Sequence, residues 1–473
     1  MEYGFKHGKP TLSLCMIVKN EARYLEACLK SVADLVDEII VVDTGSTDAT
    51  LDIARRFKAR IYHYPWTQDF AAARNESLKH ATSDWILYLD ADERLEARSK
   101  RELLGLLRNK SILCVNVLID SPLRDSRKGH ISRSHRLFRN LPGIRFSGRV
   151  HEQISPSIAG LKGKECFSTI RLKHLGYAKD APEMSKKSRR NYELLQLQIR
   201  DEPVNAYWHF SLAQNQILSQ KYREARESLG IALRIGGLPE DILCSIYNNL
   251  SEVHLKLAKL DEAISYAERA LSITPNQCTA HLLLFQIYQT QGNKKKQLES
   301  LEAAVGVVEG QKTGQQKVSV EAYVDRAALY VSLAGLYLQE NRVAEARGYF
   351  QRALRIDPDN VSALNGLADC LLEERRFIEA SKILEHLDLV SPEDLARKEK
   401  LAWLAIKLGN YPRAIEIYKH LLEIEPHNVV LNRQMAALCH KIGLTAQARR
   451  YLAKAKRHSH SSVASETTAQ VLP

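Results

Sequence analysis

Apolar and polar residues alternate with two different rhythms along this chain of 473 residues, and the rhythm changes near residue 205. Before that point, short apolar runs of strand length occur between segments whose apolar residues have helical spacing. The apolar runs are 12–18, 38–43, 60–64, 85–89 and 112–119, and the helical segments are 21–33, 48–58, 69–81 and 98–108. Strands that alternate with helices predict an α/β domain with a largely parallel sheet.

The second part of the chain is repetitive. Four alanines lie 34 residues apart, at Ala346, Ala380, Ala414 and Ala448, and three prolines share that spacing, at Pro358, Pro392 and Pro426. Earlier copies fit with longer intervals at Ala225, Ala263 and Gln297. A 34-residue helix–turn–helix period with small residues at its close contacts resembles the tetratricopeptide repeat. We therefore predict an all-α solenoid of about seven such repeats.

These patterns divide the chain into four segments. The α/β domain is expected over residues 1–180, a helical linker over 181–204 and the repeats over 205–457. The last segment, 458–473, is polar and lacks periodicity, which predicts a disordered tail.

Composition excludes several classes of protein. The chain is 45% apolar and 26% charged, which excludes a mainly disordered or collagen-like chain. No apolar run approaches the ~18 residues that cross a bilayer, and the N-terminal MEYGFKHGKP lacks the apolar stretch of a secretory signal. Eight cysteines without a C-x-x-C pair predict reduced thiols, with neither a zinc site nor a disulfide framework. We expect a cytoplasmic protein without a transmembrane segment.

The net charge of +12 is concentrated in the first part of the chain. Residues 101–200 alone contain 21 Lys and Arg against 8 Asp and Glu. Such a segment indicates an anionic partner, which could be nucleic acid, a membrane surface or a phosphorylated small molecule, or it forms a basic face that is only solvated.

Polar side chains follow the ends of the predicted strands. Val18 ends the first strand, Asp43 ends the second, and Asp90 and Asp92 follow the fourth. Ligands of open α/β sheets bind beyond the carboxyl ends of the strands, and strand alternation would project Asp90 and Asp92 on one side. Carboxylates gathered in this way are costly unless a cation or a hydrogen-bond donor faces them. A divalent metal with a diphosphate would satisfy them.

Each motif alone has other interpretations. Residues 43–45, Asp-Thr-Gly, match the short signature of aspartic proteases, but those enzymes are all-β and need a second such Asp. Residues 89–92 resemble the motif of haloacid dehalogenase-type phosphatases, but those enzymes place it on their first strand. An isolated Asp-x-Asp is also common as a helix cap or a surface turn.

The order of four segments distinguishes among these interpretations. The segments are CMIVKNEARYLEACLKSV, DEIIVVDTGSTDAT, DFAAARNESLKHATSDWILYLDADERL and HRLFRN…GIRFSGRVHEQI. The first three resemble glycosyltransferase family two, and the fourth is similar to the branch that attaches tetratricopeptide repeats to the catalytic domain. For residues 11–180 the resemblance implies a Rossmann-like GT-A fold, a nucleotide-sugar donor that is usually a UDP-sugar, and transfer with inversion.

The resemblance also assigns the donor site. It implies that Val18 and Glu21 lie beside the base, that Asp43 holds the uracil or the ribose, and that Arg74 lies near the donor. Asp90 would contact the ribose, and Ala91 belongs to the same nucleotide-sugar site.

The expected cofactor is Mn²⁺ or Mg²⁺. By the resemblance, Asp92 binds the ion that bridges the diphosphate, and His174, in a His-x-Gly-Tyr motif, is a candidate second ligand. A metal in that place stabilises the negative charge that grows on the leaving nucleotide. A structural, hydrogen-bonded histidine is the alternative for His174.

Inversion requires a base that takes the acceptor proton. The family places an acid there, and Glu152 is our candidate. The alternatives are His151 as the base, or a structural pairing of Glu152 with Arg145 or Arg149. The basic residues that would flank the acceptor side are Arg124, Arg127, Lys128, Arg133, Arg136, Arg139, Arg145 and Arg149.

The sequence thus predicts a transferase that moves a sugar to a hydroxyl or thiol acceptor. A repeat solenoid offers a concave surface for extended peptides or for a second subunit, which favours a peptide or protein acceptor, or a homodimer. A glycan acceptor in cell-surface polysaccharide or lipopolysaccharide synthesis is one alternative, and a protein-interaction scaffold with an inactive transferase domain is another. No nucleic-acid partner is expected.

Overall fold

The computed structural model describes residues 3–5, 8–122, 129–175, 181–310, 320–322, 324–392 and 394–467. By its internal contacts the chain divides into two compact units, residues 1–325 and 326–473. The first unit contains a β-sheet domain and a helical part, and the second unit is helical.

The sheet domain consists of nine strands and five helices among the described residues. The strands are β1 (Leu12–Val18), β2 (Glu38–Asp43), β3 (Arg60–His63), β4 (Trp85–Tyr88), β5 (Glu93–Leu95), β6 (Ile112–Pro122), β7 (Gly129–Arg139), β8 (Lys164–His174) and β9 (Val320–Ala322). The helices are α1 (Ala22–Val32), α2 (Thr50–Arg56), α3 (Phe70–Lys79), α4 (Lys100–Leu107) and α5 (Ser155–Ile158).

The strand order is β3-β2-β1-β4-β7-β6-β8-β5, with β9 paired to β7. The four strands β1 to β4 are parallel, as the alternation of strands and helices predicts. Beyond β4 the sheet is mixed, because β7 is antiparallel to both β4 and β6 and β5 is antiparallel to β8. The apolar runs did not predict β5, β7 or β8, since an apolar run marks a strand that is buried on both faces.

Both faces of the central strands are buried. On one face, Leu14 packs in a cluster with Leu29 of α1. On the other face, Cys15 and Ile40 pack with Phe138 of β7. The sheet is therefore covered on both sides in its parallel part, and the carboxyl ends of β1, β2 and β4 are free to carry polar residues.

The helical part of the first unit begins with a long helix, α6 (Ala181–Asp201). Three helix pairs follow it: α7 (Ala206–Leu218) with α8 (Tyr222–Ile235), α9 (Glu240–Lys256) with α10 (Leu260–Ile273), and α11 (Cys278–Thr290) with α12 (Lys294–Gly310). The second unit contains four pairs: α13 (Arg326–Gln339) with α14 (Val343–Ile356), α15 (Val361–Glu373) with α16 (Phe377–Val390), α17 (Leu395–Lys407) with α18 (Tyr411–Ile424), and α19 (Val429–Lys441) with α20 (Thr445–Thr467).

The all-α solenoid predicted from the repeats is confirmed, and the described residues form seven helix pairs. The repeat alanines Ala346, Ala380 and Ala414 are fully buried. The last helix, α20, continues to Thr467, ten residues past the expected end of the repeats. Its residues 458–467 contain neither Gly nor Pro, so nothing in the sequence breaks the helix there. The expected disordered tail stays a prediction, and residues 468–473 lie outside the described residues. Across the described residues, no helix is long and apolar enough to cross a membrane.

A substitution at the contact between α14 and α15 can test how closely the repeats pack. Gly366 lies against the ring of Phe350, and a Cβ added at Gly366 would collide with that ring. We expect Gly366→Ala to lower the free energy of unfolding by about 1–3 kcal/mol through overpacking. Urea unfolding followed by circular dichroism measures it.

Gly335→Ala and Gly348→Ala are the matched controls, because both glycines lie in helices and a Cβ there meets nothing within 4 Å. Both substitutions should stabilise the protein by up to about 1 kcal/mol. Equal effects at all three positions would contradict the packing argument.

Candidate functional site

A cleft of about 2960 Å³ opens at the carboxyl edge of β1 and β4. Its lining includes Val18, Glu21, Arg74, Asp90, Ala91, Asp92, Glu152 and His174. Residues of α6, α7 and α9 form part of the same lining. The structure therefore brings together eight of the nine site residues that the sequence predicts, and only Asp43 is absent from the wall of the cleft.

The turn between β4 and β5 positions the two aspartates. The Asp90 N–H donates to Glu93 Oε2 at 2.9 Å, and the Glu93 N–H donates to the Asp90 carbonyl oxygen at 2.9 Å. Because β5 pairs with β8, His174 lies directly opposite Glu93. The Leu175 N–H donates to the Asp92 carbonyl oxygen at 2.9 Å, and His174 Nε2 lies 3.5 Å from Asp92 Oδ1.

Arg74 of α3 connects the turn that carries Asp90 to the loop that carries Glu152. Its Nη2 donates to Asp90 Oδ1 at 2.6 Å, and its Nε donates to the Glu152 carboxylate. The guanidinium is buried, and its Cζ lies 4.8 Å from the centre of the Tyr88 ring. The ion pair of Glu152 is thus with Arg74, and the Arg149 guanidinium instead binds Asp201 at 2.7 Å. Within the described part of the chain, the alternative pairing of Glu152 with Arg145 or Arg149 is not found.

A second arginine, Arg136 of β7, lies beside the same ring. Its Cζ is 4.4 Å from the centre of the Tyr88 ring. Its Nη2 donates to Glu93 Oε1 at 2.6 Å and lies 3.5 Å from Asp90 Oδ2. Arg74 and Arg136 therefore both contact the carboxylate of Asp90.

These contacts fix the charges of the site. Burial opposes ionisation of Asp90, but Arg74 and Arg136 together hold its pKa well below the usual range. Burial raises the pKa of Glu93 to about 7, against the opposing effect of Arg136. Asp90 is therefore the firmly ionised carboxylate at the centre of the cleft, and its side chain is still 35% exposed.

Asp43 is the last residue of β2, and the turn that follows it lies beside the cleft. It accepts hydrogen bonds from the Ser46 N–H at 3.0 Å and the Gly45 N–H at 3.3 Å, and it is buried. The next residue, Thr44, lines the cleft and donates to the Val18 carbonyl oxygen through its N–H at 3.0 Å. In this structure Asp43 shapes the turn after β2, and its contact with a nucleotide stays a prediction.

The loop that carries Glu152 is held by the helices that follow the sheet domain. The Arg149 N–H donates to Gln198 Oε1 of α6 at 2.8 Å, and the Gln153 amide donates to the Tyr207 hydroxyl of α7. Gly148 has φ +104°, and a Cβ on it would collide with the Trp208 ring of α7.

The sequence did not indicate several of these functional contacts. Arg136 was given only a flanking role, although it lies in the quoted HRLFRN segment, and Glu93 lies in the quoted LDADERL segment without an assigned role. The supports from Gln198 and Tyr207 are separated from Glu152 by at least 46 residues of chain. The alternative base, His151, lines the cleft next to Glu152. Arg124, Arg127, Lys128, Gly176 and Tyr177 lie outside the described residues.

Comparison with known proteins defines the class to which this fold and site belong. Residues 13–160 match the sequence model of the family described as glycosyl transferase family 2. Residues 245–277, 325–404 and 405–464 match tetratricopeptide repeat models. The first domain is therefore a family 2 glycosyltransferase domain, and tetratricopeptide repeats follow it, as the sequence predicts.

Three similar proteins illustrate the relationship. A TPR repeat-containing protein of Synechococcus elongatus is 35% identical over 268 residues, which are 55% of this chain and 66% of that protein. The SPbeta prophage-derived glycosyltransferase SunS of Bacillus subtilis is 32% identical over 227 residues, 47% of this chain and 53% of SunS. An uncharacterized glycosyltransferase of Rickettsia felis is 37% identical over 92 residues, 20% of this chain and 32% of that protein. The matched regions cover no more than two thirds of these relatives.

Loss of Arg74 tests the ion-pair arrangement. Arg74→Met would leave Glu152 in the cleft wall without its cation, and would leave Asp90 with Arg136 alone. We expect the free energy of unfolding to fall by about 2–4 kcal/mol. Removing one partner of a fully buried ion pair costs ~3–5 kcal/mol, and the loss is smaller here because Asp90 is partly exposed. Urea unfolding at pH 7 measures it.

The control is Arg55→Met, since Arg55 pairs with Asp52 at 2.6 Å while their side chains are 61% and 77% exposed. That substitution should cost less than about 1 kcal/mol. Similar losses for the two variants would argue against a special role of Arg74.

Gly148 tests the support of the Glu152 loop by α7. Gly148→Ala combines an unfavourable φ with the collision against Trp208, whereas Gly160→Ala at φ +86° meets nothing within 4 Å. We expect Gly160→Ala to cost about 1–3 kcal/mol from backbone strain. Gly148→Ala should cost a further ~1–3 kcal/mol from overpacking, which thermal and urea unfolding of both variants would measure. Equal losses would show that Trp208 yields to the added methyl group.

Proposed function

We propose that this protein is an inverting, metal-dependent glycosyltransferase that moves a sugar from a nucleotide sugar, most simply a UDP-sugar, to a hydroxyl or thiol acceptor. The observation that carries the proposal is the convergence of Asp90, Asp92, His174, Arg74 and Glu152 in one cleft at the carboxyl edge of the parallel strands. This edge is where open α/β sheets bind their ligands.

The chemistry of Asp92 and His174 fits a bound Mn²⁺ or Mg²⁺. Their ligand atoms lie 3.5 Å apart, and the side chains are only 11% and 14% exposed at the cleft wall. Such ions take one or two protein ligands and complete their coordination with phosphate oxygens and water. Asp90 is less suited to a metal because two arginines already hold its carboxylate. When bound, the ion stabilises the charge that develops on the leaving diphosphate.

Other residues of the chain would bind the donor and take the proton from the acceptor. Val18 and Glu21 line the wall where the base of the donor would lie, and the fixed carboxylate of Asp90 can accept hydrogen bonds from ribose hydroxyls. On the acceptor side, the Glu152 carboxylate would take the acceptor proton. In that step the bond from the acceptor oxygen or sulfur to the anomeric carbon forms as the bond from that carbon to the diphosphate breaks.

The size and composition of the cleft favour an extended acceptor. Its volume of about 2960 Å³ exceeds the ~300–1,000 Å³ of typical small-molecule pockets. Polar side chains of the first repeats, such as Asn215 and Asn249, lie in its lining. A peptide or protein that runs along the repeats would fit such a surface. A homodimer through the repeats and a cytoplasmic location stay predictions of the sequence.

A glycan acceptor is a second candidate, favoured by one observation. Four basic residues of α6, Lys186, Lys187, Arg189 and Arg190, lie in the cleft lining. An anionic polysaccharide or lipopolysaccharide would find a complementary charge there.

The test measures nucleotide release from a panel of UDP- and GDP-sugars by the full chain, with Mn²⁺, Mg²⁺ or EDTA. We expect slow hydrolysis of one donor, lost with EDTA and in Asp92→Ala. Glu152→Gln should keep metal-dependent UDP binding while turnover falls about 10²–10⁴-fold. Asp52→Ala, on the exposed face of α2, is the control and should change neither quantity.

The outcomes separate the classes of function. Metal-dependent UDP binding without turnover, even when peptide and glycan acceptors are supplied, would favour an interaction scaffold with an inactive domain. Failure to bind any nucleotide would exclude the transferase proposal.

A further inference from the structure

A second group of ligand-type side chains lies at the cleft, of which two members line its wall and the third is buried. Cys114 of β6, His135 of β7 and Glu165 of β8 belong to three adjacent strands. In the sheet register, Cys114 is opposite Glu165, and Asn116 is opposite His135. The thiol sulfur, an imidazole nitrogen and a carboxylate oxygen all lie within 4.8 Å of one another.

We propose that Cys114, His135 and Glu165 bind a divalent ion of the zinc class, at a site separate from Asp92 and His174. A thiolate, an imidazole and a carboxylate form a ligand set that suits Zn²⁺ or Co²⁺ better than Mg²⁺ or Mn²⁺. Zinc binds these ligands at about 2.0–2.3 Å, so small side-chain rotations bring the three atoms onto one ion. The inference does not depend on the proposed transferase function.

Neighbouring side chains orient these ligands. His135 Nδ1 lies 3.4 Å from the Ser155 hydroxyl, which leaves Nε2 directed at Glu165 Oε1, 2.6 Å away. The buried Asn116 amide donates to the Glu165 carboxylate. Metal-binding histidines and carboxylates are usually held by such outer hydrogen bonds. The ion would replace the contact between His135 and Glu165.

Access and charge also suit a cation. Cys114 is buried, whereas His135 and Glu165 line the cleft, so an ion can enter from that side. The carboxylate of Asp241, at the start of α9, lines the same cleft and adds negative charge to it. A fourth ligand position facing the cleft is open to water. The thiol must lose its proton to the solvent when the ion binds.

This proposal departs from the expectation that the cysteines form no zinc site. That expectation depended on spacing along the chain, but the three candidate ligands are 21 and 30 residues apart and meet only through strand pairing.

The test titrates the purified full chain with Co²⁺ and follows the thiolate-to-cobalt charge-transfer absorption in the near ultraviolet. We expect one equivalent to bind with this band, and Cys114→Ser to remove it. Cys166→Ser is the matched control, because Cys166 neighbours Glu165 on β8 but packs against the core cluster on the other face of the sheet. The band should persist in Cys166→Ser and in Asp92→Ala, which separates this site from the proposed donor-site metal.

Circular dichroism checks that Cys114→Ser folds, and a second variant tests the site even if Cys114→Ser does not fold. Glu165 is 43% exposed, so Glu165→Gln should fold normally. Loss of a residue that only supports a metal ligand weakens binding ~10–100-fold, so loss of the ligand Glu165 itself should raise the Kd for Zn²⁺ at least tenfold. Competition with a chromophoric chelator measures it. The absence of a charge-transfer band, a band that survives Cys114→Ser, or an unchanged Kd in Glu165→Gln would each overturn the proposal.

Discussion

The guanidinium of Arg74 lies between two carboxylates from distant parts of the chain, and much of the cleft depends on that contact. A buried cation is costly unless its partners are well placed. Burial alone would lower the pKa of Arg74, but the charges of Asp90 and Glu152 outweigh burial and raise that pKa above its ordinary value. The same contact fixes the position of each carboxylate. The turn that carries Asp90 and the loop that carries Glu152 are therefore aligned by a single side chain of α3.

The aromatic ring of Tyr88 contacts both arginines of this arrangement. Arg74 and Arg136 each lie within 5 Å of the centre of that ring, where the negative face of an aromatic system attracts a cation. Tyr88 ends β4 and Arg136 belongs to β7, so the centre of the sheet carries the ring, one of the two arginines and the aspartate turn, while α3 supplies Arg74. A site built on a strand end in this way keeps its geometry better than one built on loops alone.

The sequence predicted the parts of the molecule that are governed by local pattern. The strands β1, β2 and β4 contain continuous apolar runs, and the aspartates directly follow β4. Position along the chain was therefore sufficient to place Asp90 and Asp92 at the cleft. Partners that meet through the sheet could not be predicted in this way. Examples are Arg136 with Glu93, which belong to different strands, and Arg74 with Glu152, which are 78 residues apart. Asp43 shows a different limit of prediction from sequence. Its position at the end of β2 was predicted, but the hydrogen bonds of its carboxylate to the following turn were not.

The anchoring of the Glu152 loop by α6 and α7 has a consequence for where the catalytic unit ends. By sequence pattern the transferase domain closes near residue 180, yet Gln198, Asp201, Tyr207 and Trp208 all contact the loop or its flanks. A fragment cut at the pattern boundary would carry every proposed site residue and still lack the wall that shapes the segment around Glu152. Because α9 also lines the cleft, the smallest piece with an intact cleft includes the linker and the first two helix pairs.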